Sequence, residues 1–147
     1  NQTGIVIQLH IISMFLPSLV TGNLLRKFGH STIIYAGVFF FILTILLSFF
    51  QPSFFNYLFS LIFLGIGWNF LFLSGTGLLV LSYREEEKFK AQGFNDILVF
   101  STQAIASLSA GYMLSITSWK IMNLIAVPFL ILIVLSSLRA DLSKSSK

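Results

Sequence analysis

Residues 28–83 read FGHSTIIYAGVFFFILTILLSFFQPSFFNYLFSLIFLGIGWNFLFLSGTGLLVLSY, without a single Lys, Arg, Asp or Glu. One helical crossing of a bilayer takes about 20 apolar residues, so this run holds two crossings and a turn between them. The turn is Gln51-Pro52-Ser53, because proline fixes φ and removes a backbone donor. The flanking segments predict helices over about 31–50 and 54–82. A closed β-barrel, the other spanning architecture, needs apolar and polar residues in alternation. The stretch from Gly37 to Leu47 has none.

Working outward, three more uncharged runs appear: Asn1 to Leu25, Ile97 to Trp119 and Ile121 to Leu138. They predict further helices over about 5–25, 93–117 and 119–138, with a polar tail over 139–147. The expected fold is all-α, a polytopic membrane protein whose five transmembrane helices form a single bundle. Composition agrees: 56% of the 147 residues are hydrophobic, 10% are charged, and mean hydropathy is +0.90. Soluble domains carry about 25% charged residues, so a soluble enzyme and a disordered chain are excluded. A pI near 9.6 ordinarily suggests nucleic acid. Here the nine basic residues lie between apolar runs, which excludes that partner and leaves the lipid bilayer. Without cysteine there is no disulfide, thiolate metal site or Cys nucleophile.

The basic residues fix the expected orientation. Arg26, Lys27, Arg84, Lys88, Lys90, Arg139, Lys144 and Lys147 fall on one side and only Lys120 on the other. Cytoplasmic loops are enriched in Lys and Arg, so the C-terminus is expected in the cytoplasm and the protein in the inner (plasma) membrane. The chain opens on Asn1-Gln2-Thr3 rather than Met and reads as a piece of something longer. The glycosylation-like pattern there reads as chance.

The helices differ in polarity. The second and fifth are apolar nearly all round and suit lipid contact, with Thr44 and Ser48 able to bond back to their own helix. In the first, His10, Ser13, Pro17 and Thr21 share a face; in the third, Gly65, Asn69 and Thr76 do, with Trp68 beside them. The fourth carries a stripe of Ala104, Ser107, Gly111 and Ser115, with Gln103 near mid-bilayer. Small residues admit close helix approach, and polar groups in lipid need partners. The first, third and fourth helices are therefore expected to face protein or a water-filled path.

The segment Thr21-Gly22-Asn23-Leu24-Leu25-Arg26-Lys27-Phe28-Gly29-His30 resembles the loop signature of the major facilitator superfamily. Gly22, Leu24, Lys27 and Gly29 fit it, and His30 stands at a usual basic position. Arg26 replaces the usual Asp, which removes the acid of the loop's charge relay. The stretches Gly65–Phe72 and Ala91–Asp96 are similar to segments in the second half of such permeases. The resemblance implies a truncated C-terminal bundle, the eighth to twelfth helices of a twelve-helix transporter. It implies as partners a small-molecule solute, a coupled proton in an ion-coupled member, and the missing N-terminal half.

Each candidate residue carries two readings. His10 binds solute or carries a proton, or is a neutral helix-bridging group. Asn69 and Gln103 bind a polar substrate at the midplane, or join helices. Trp68 stacks on substrate, or packs in the core. Asp96 complements a helix N-terminus, or gates by pairing with Arg84 or Arg26. Gly75-Thr76-Gly77 lacks the spacing and Lys of a phosphate cradle. No catalytic constellation or metal-ligand spacing is legible, so neither an enzyme nor a cofactor is expected. A secondary transporter working by alternating access is the leading expectation. A non-transporting scaffold or assembly subunit is the alternative, and a place in the first half of a transporter a third reading.

Overall fold

A computed structural model describes residues 2–145, with side chains through Asp141. Asn1 and the side chains of Lys144 and Lys147 lie outside the described residues. The helices in chain order are α1 (Gln2–Phe15), α2 (Ser18–Phe28), α3 (His30–Leu47), α4 (Phe54–Val80), α5 (Lys88–Ile116), α6 (Trp119–Leu124) and α7 (Val127–Ser145). A 3₁₀ turn, Glu85–Glu87, precedes α5. Among the described residues there is no strand, and five helical stretches are long and apolar enough to cross a membrane. Two of them are composite: α1 with α2, and α6 with α7.

The break between α1 and α2 falls at Leu16-Pro17. Pro17 has no N–H to return to the carbonyl of Ser13, so the helical ladder is interrupted there. Gly29 alone links α2 to α3, at φ 81°, a conformation open to glycine and costly for other residues. The Ser53 hydroxyl caps α4 by accepting from the Asn56 N–H at 3.2 Å.

Several boundaries depart from the sequence expectation by a few residues, the first crossing spanning Gln2–Phe28 and the second ending at Leu47. The third crossing stops at Val80 rather than 82. The fourth begins at Lys88 rather than 93, because the acids of Glu85–Glu87 suit a helix start and Glu85 pairs with Lys88 at 3.2 Å. The tail is not a free polar segment, since α7 continues to Ser145. No Gly or Pro follows Pro128 to stop it.

The apolar second crossing, α3, packs one face on α4 and α7 and leaves Phe39, Ile42 and Leu46 exposed on another. Ile34, Val38 and Ile45 of α3 are buried with Leu130 of α7, against Phe41, Leu71 and Leu78. Apolar side chains gain nothing by leaving lipid for protein, so contact depends on close backbone approach. Glycines supply it. A methyl group on Gly67 would come within 3.0 Å of the Gly37 carbonyl oxygen and 2.8 Å of the Phe41 ring. One on Gly37 would come within 3.1 Å of the Gly67 carbonyl oxygen. Thr44, wholly buried, donates to Phe40 O and stands 3.1 Å from Ser60 O, so it bonds its own helix and the next. By contrast α5 has no buried residue, and its small-residue stripe touches no other described helix closely: a methyl on Gly111 would meet nothing within 4 Å.

Candidate functional site

The predicted polar face of the first crossing is the face that meets α4. His10 Nδ1 lies 2.7 Å from the Leu61 carbonyl oxygen, which can only accept, so Nδ1 carries a proton. Ser13 donates to the His10 carbonyl at 2.8 Å, and a methyl on Gly65 would collide with the Ser13 hydroxyl. Asn69 is buried at 2% exposure, and both ends of its carboxamide are engaged. Its Nδ2 donates to Met14 O at 2.8 Å, beside the Pro17 break, and its Oδ1 accepts from the Thr21 hydroxyl at 2.9 Å. Thr21 is also 2.8 Å from Pro17 O. Asn69 thus ties α4 to α1 and α2 on either side of the break, which is the helix-joining reading of this residue.

Trp68, its neighbour in sequence, looks elsewhere. It borders an open cleft of about 570 Å³ between α4 and α5, opposite Asn95, Val99, Thr102 and Gln103. Trp68 and Gln103 each sit one residue past the midpoint of their helix, so the cleft lies at mid-depth of both crossings. Phe72 stacks on the Trp68 indole at 4.8 Å and 7°, and Phe15 meets it edge-on at 6.1 Å. Thr102 and Gln103 make no side-chain hydrogen bond among the described residues, and Asn95 reaches only Asp96 at 3.5 Å. Polar groups at this depth are costly when unpartnered.

Asn95 and Thr102 were not singled out from sequence as part of this surface. The available signal was their separation of seven residues, which puts them on one helical face next to Gln103. His10 does not border this cleft.

The signature-like loop forms the end of the bundle where the basic residues gather. Gly22 is exposed, and a methyl there would meet nothing within 4 Å. Arg26 donates to the Asn23 side chain, and Lys27 lies 5.2 Å from the Phe28 ring centroid. Gly29 is the turn itself. Arg84 is exposed in the loop before α5. Asp96 is exposed and lies more than two turns inside α5, beyond the reach of the helix N-terminal charge, which fades after the first turn. The helix-start reading of Asp96 is therefore corrected by the earlier start of α5. Among the described residues the ion pair is Lys88–Glu85, so neither Arg26 nor Arg84 pairs with Asp96 in this conformation. Sequence reading missed Asp141 altogether. Its carboxylate accepts from Ser31 Oγ at 2.5 Å and Tyr35 OH at 3.3 Å, fastening α7 to the start of α3. Ser31 and Tyr35 are spaced i, i+4, which is the signal that was there to read.

Among the described residues no three His, Cys, Asp or Glu side chains gather as a metal site would require. Residues 1–146 match the family model described as Major Facilitator Superfamily. The chain is 35% identical over 133 residues to the riboflavin transporter RfnT of Brucella anthropi, a match covering 90% of this chain and 33% of that protein. It is 33% identical over 126 residues to an uncharacterized MFS-type transporter of Bacillus subtilis, YddS, covering 84% of this chain and 29% of that one. The chain thus spans about a third of the length of these curated relatives. No solved structure matches it significantly.

Proposed function

This chain belongs to the major facilitator superfamily, and from that premise we propose that it is part of a secondary transporter that moves a small solute by alternating access. The observation that carries this reading is the α4–α5 cleft. Thr102 and Gln103 stand without interhelical partners at the depth where lipid would penalise them most, beside a fixed indole, with Asn95 about two turns nearer the start of α5. Riboflavin, the solute in the name of the Brucella anthropi relative, is the first to test. The small-residue stripe of α5 then meets helices of the same transporter outside this chain.

In this reading the basic end faces the cytoplasm, following the Lys and Arg asymmetry. A coupled proton has a place at His10. With Nδ1 held by Leu61, Nε2 is the ring atom left to take it. Asp96, Arg84 and Arg26 are the charges available to form a gate in another conformation.

The test is solute and proton flux in proteoliposomes containing the full-length gene product. Riboflavin uptake driven or unaffected by a proton gradient supports the reading. Absence of flux for riboflavin and for a panel of small solutes overturns it. Single cysteines at positions 88 and 120 test orientation: the first should label from the cytoplasmic side only and the second from the opposite side only.

A further inference from the structure

The cleft has a chemistry narrower than that of a general polar path, and the narrowing follows from three observations. First, the platform is rigid. Phe72 lies nearly parallel on the Trp68 indole, 7° from coplanar at 4.8 Å, and Phe15 braces it at 67°. No further ring stacks on Trp68 among the described residues. An indole braced in this way meets a flat ligand without losing much side-chain freedom on binding. Second, none of the residues bordering the cleft is charged. A phosphate, carboxylate or ammonium would leave water for this depth without a counter-charge, which is prohibitive. Third, Gln103 and Asn95 carry carboxamides, each offering donors and an acceptor side by side. Such a group matches a lactam or imide edge, where N–H and C=O also alternate. A simple hydroxyl cluster would not need that pairing. The volume of about 570 Å³ falls within the range of about 300–1,000 Å³ for small-molecule sites.

We propose that the α4–α5 cleft takes a neutral, planar, fused-ring heteroaromatic solute, stacked on Trp68 with its lactam or imide edge against Gln103. The proposal rests on the reading of this cleft as the solute path and names the class of solute. The ring is the recognised part, and any flexible polar chain on it is carried along. Asn95, about two turns from Gln103 on α5, and Thr102 beside it supply the remaining hydrogen bonds.

The experiment uses the purified full-length protein and two probes. Lumichrome is a neutral fused-ring compound with an imide edge and no polar chain. Ribitol is a neutral polyol with no ring. Binding is read by quenching of lumichrome's own fluorescence, and flux is measured separately in proteoliposomes. Lumichrome should bind saturably, and ribitol should not displace it. Trp68→Ala should weaken lumichrome binding by about tenfold or more, in line with the loss of one base-sized stacking contact. Trp68→Phe, which keeps a ring in place, should stay within about threefold. Gln103→Leu should weaken binding by about fivefold, the scale of one hydrogen bond. Each variant must first match the wild type in elution and melting temperature. Trp68→Phe and Gln103→Leu keep the test open should Trp68→Ala fail to fold.

Lumichrome curves that superpose for wild type, Trp68→Ala and Gln103→Leu report partition into detergent and overturn the proposal, as does displacement by ribitol. The two readings fail separately. Trp68-dependent binding in a protein with no flux for any solute leaves this proposal standing and removes transport. Flux with Trp68-independent binding does the reverse.

Discussion

The two sides of α4 obey opposite rules. Toward α1, α2 and α3 the helix is dry and closed. Gly65 and Gly67 let backbones touch, and the Asn69 carboxamide is satisfied at both ends. Toward α5 the same helix presents Trp68 to an open cleft whose polar residues have no helical partner. Asn69 and Trp68 are adjacent in sequence and 100° apart around the helix. The difference teaches that polarity inside a membrane span does not identify a binding residue. Whether neighbouring helices already satisfy the group does.

The comparison breaks most severely where backbones meet. Gly67→Val drives methyl groups into Gly37 and Phe41, and overpacking of this kind costs about 1–3 kcal/mol or more. The expected outcome is a large fall in melting temperature or loss of monodisperse full-length protein. Size-exclusion chromatography and thermal unfolding in detergent measure it, and unchanged stability would mean that α3 and α4 do not cross so closely.

Asn69→Leu comes next. It strips the Met14 carbonyl beside the Pro17 break of its partner, a loss worth about 1–3 kcal/mol for a buried group. A double-mutant cycle with Thr21→Val should give a coupling of about 0.6–2 kcal/mol, the span found for interhelical hydrogen bonds in membranes. Zero coupling would detach Asn69 from its joining role.

The open side should respond the other way. Gln103→Leu is expected to change stability by no more than about 0.5 kcal/mol, as exposed substitutions do, while altering solute KM several-fold. A stability loss equal to that of Asn69→Leu would erase the distinction between the two sides. His10→Gln sharpens the closed side. It keeps a donor for Leu61 and removes the second ring nitrogen, so folding and solute flux should persist while co-transport of a proton is lost. Unaltered proton co-transport would place the proton elsewhere.

The most local effect is expected at Asp141. Asp141→Ala removes two hydrogen bonds at a partly exposed helix end, a contribution of about 1 kcal/mol. Hydrogen exchange should quicken in the last turn of α7 and nowhere in α4.

Much of this was legible along the chain. Residues with period near 3.6 put His10, Ser13 and Thr21 on one face, and that face is the one facing α4. Gly65 and Gly67 read as packing sites and are. Asn69 and Gln103 looked alike, each an amide near mid-span, and no local rule separated them. The sequence of the greasy α3 did not show which of its faces packs on α4, because an apolar surface packs equally well on lipid or on protein. Only Gly37, facing Gly67, marks α3 as a helix with a close neighbour. Asp141 escaped notice because its partners lie more than a hundred residues earlier.

What the sequence determined by itself is the class of the molecule and the number of its crossings. Those follow from transfer of side chains and backbone between water and lipid, which is a property of each segment alone. Which polar groups are joined to each other and which stand without a helical partner was decided only by the tertiary structure. Hydrogen-bond satisfaction in a membrane is a relation between helices, fixed by where Pro17 breaks one and where glycines let another approach.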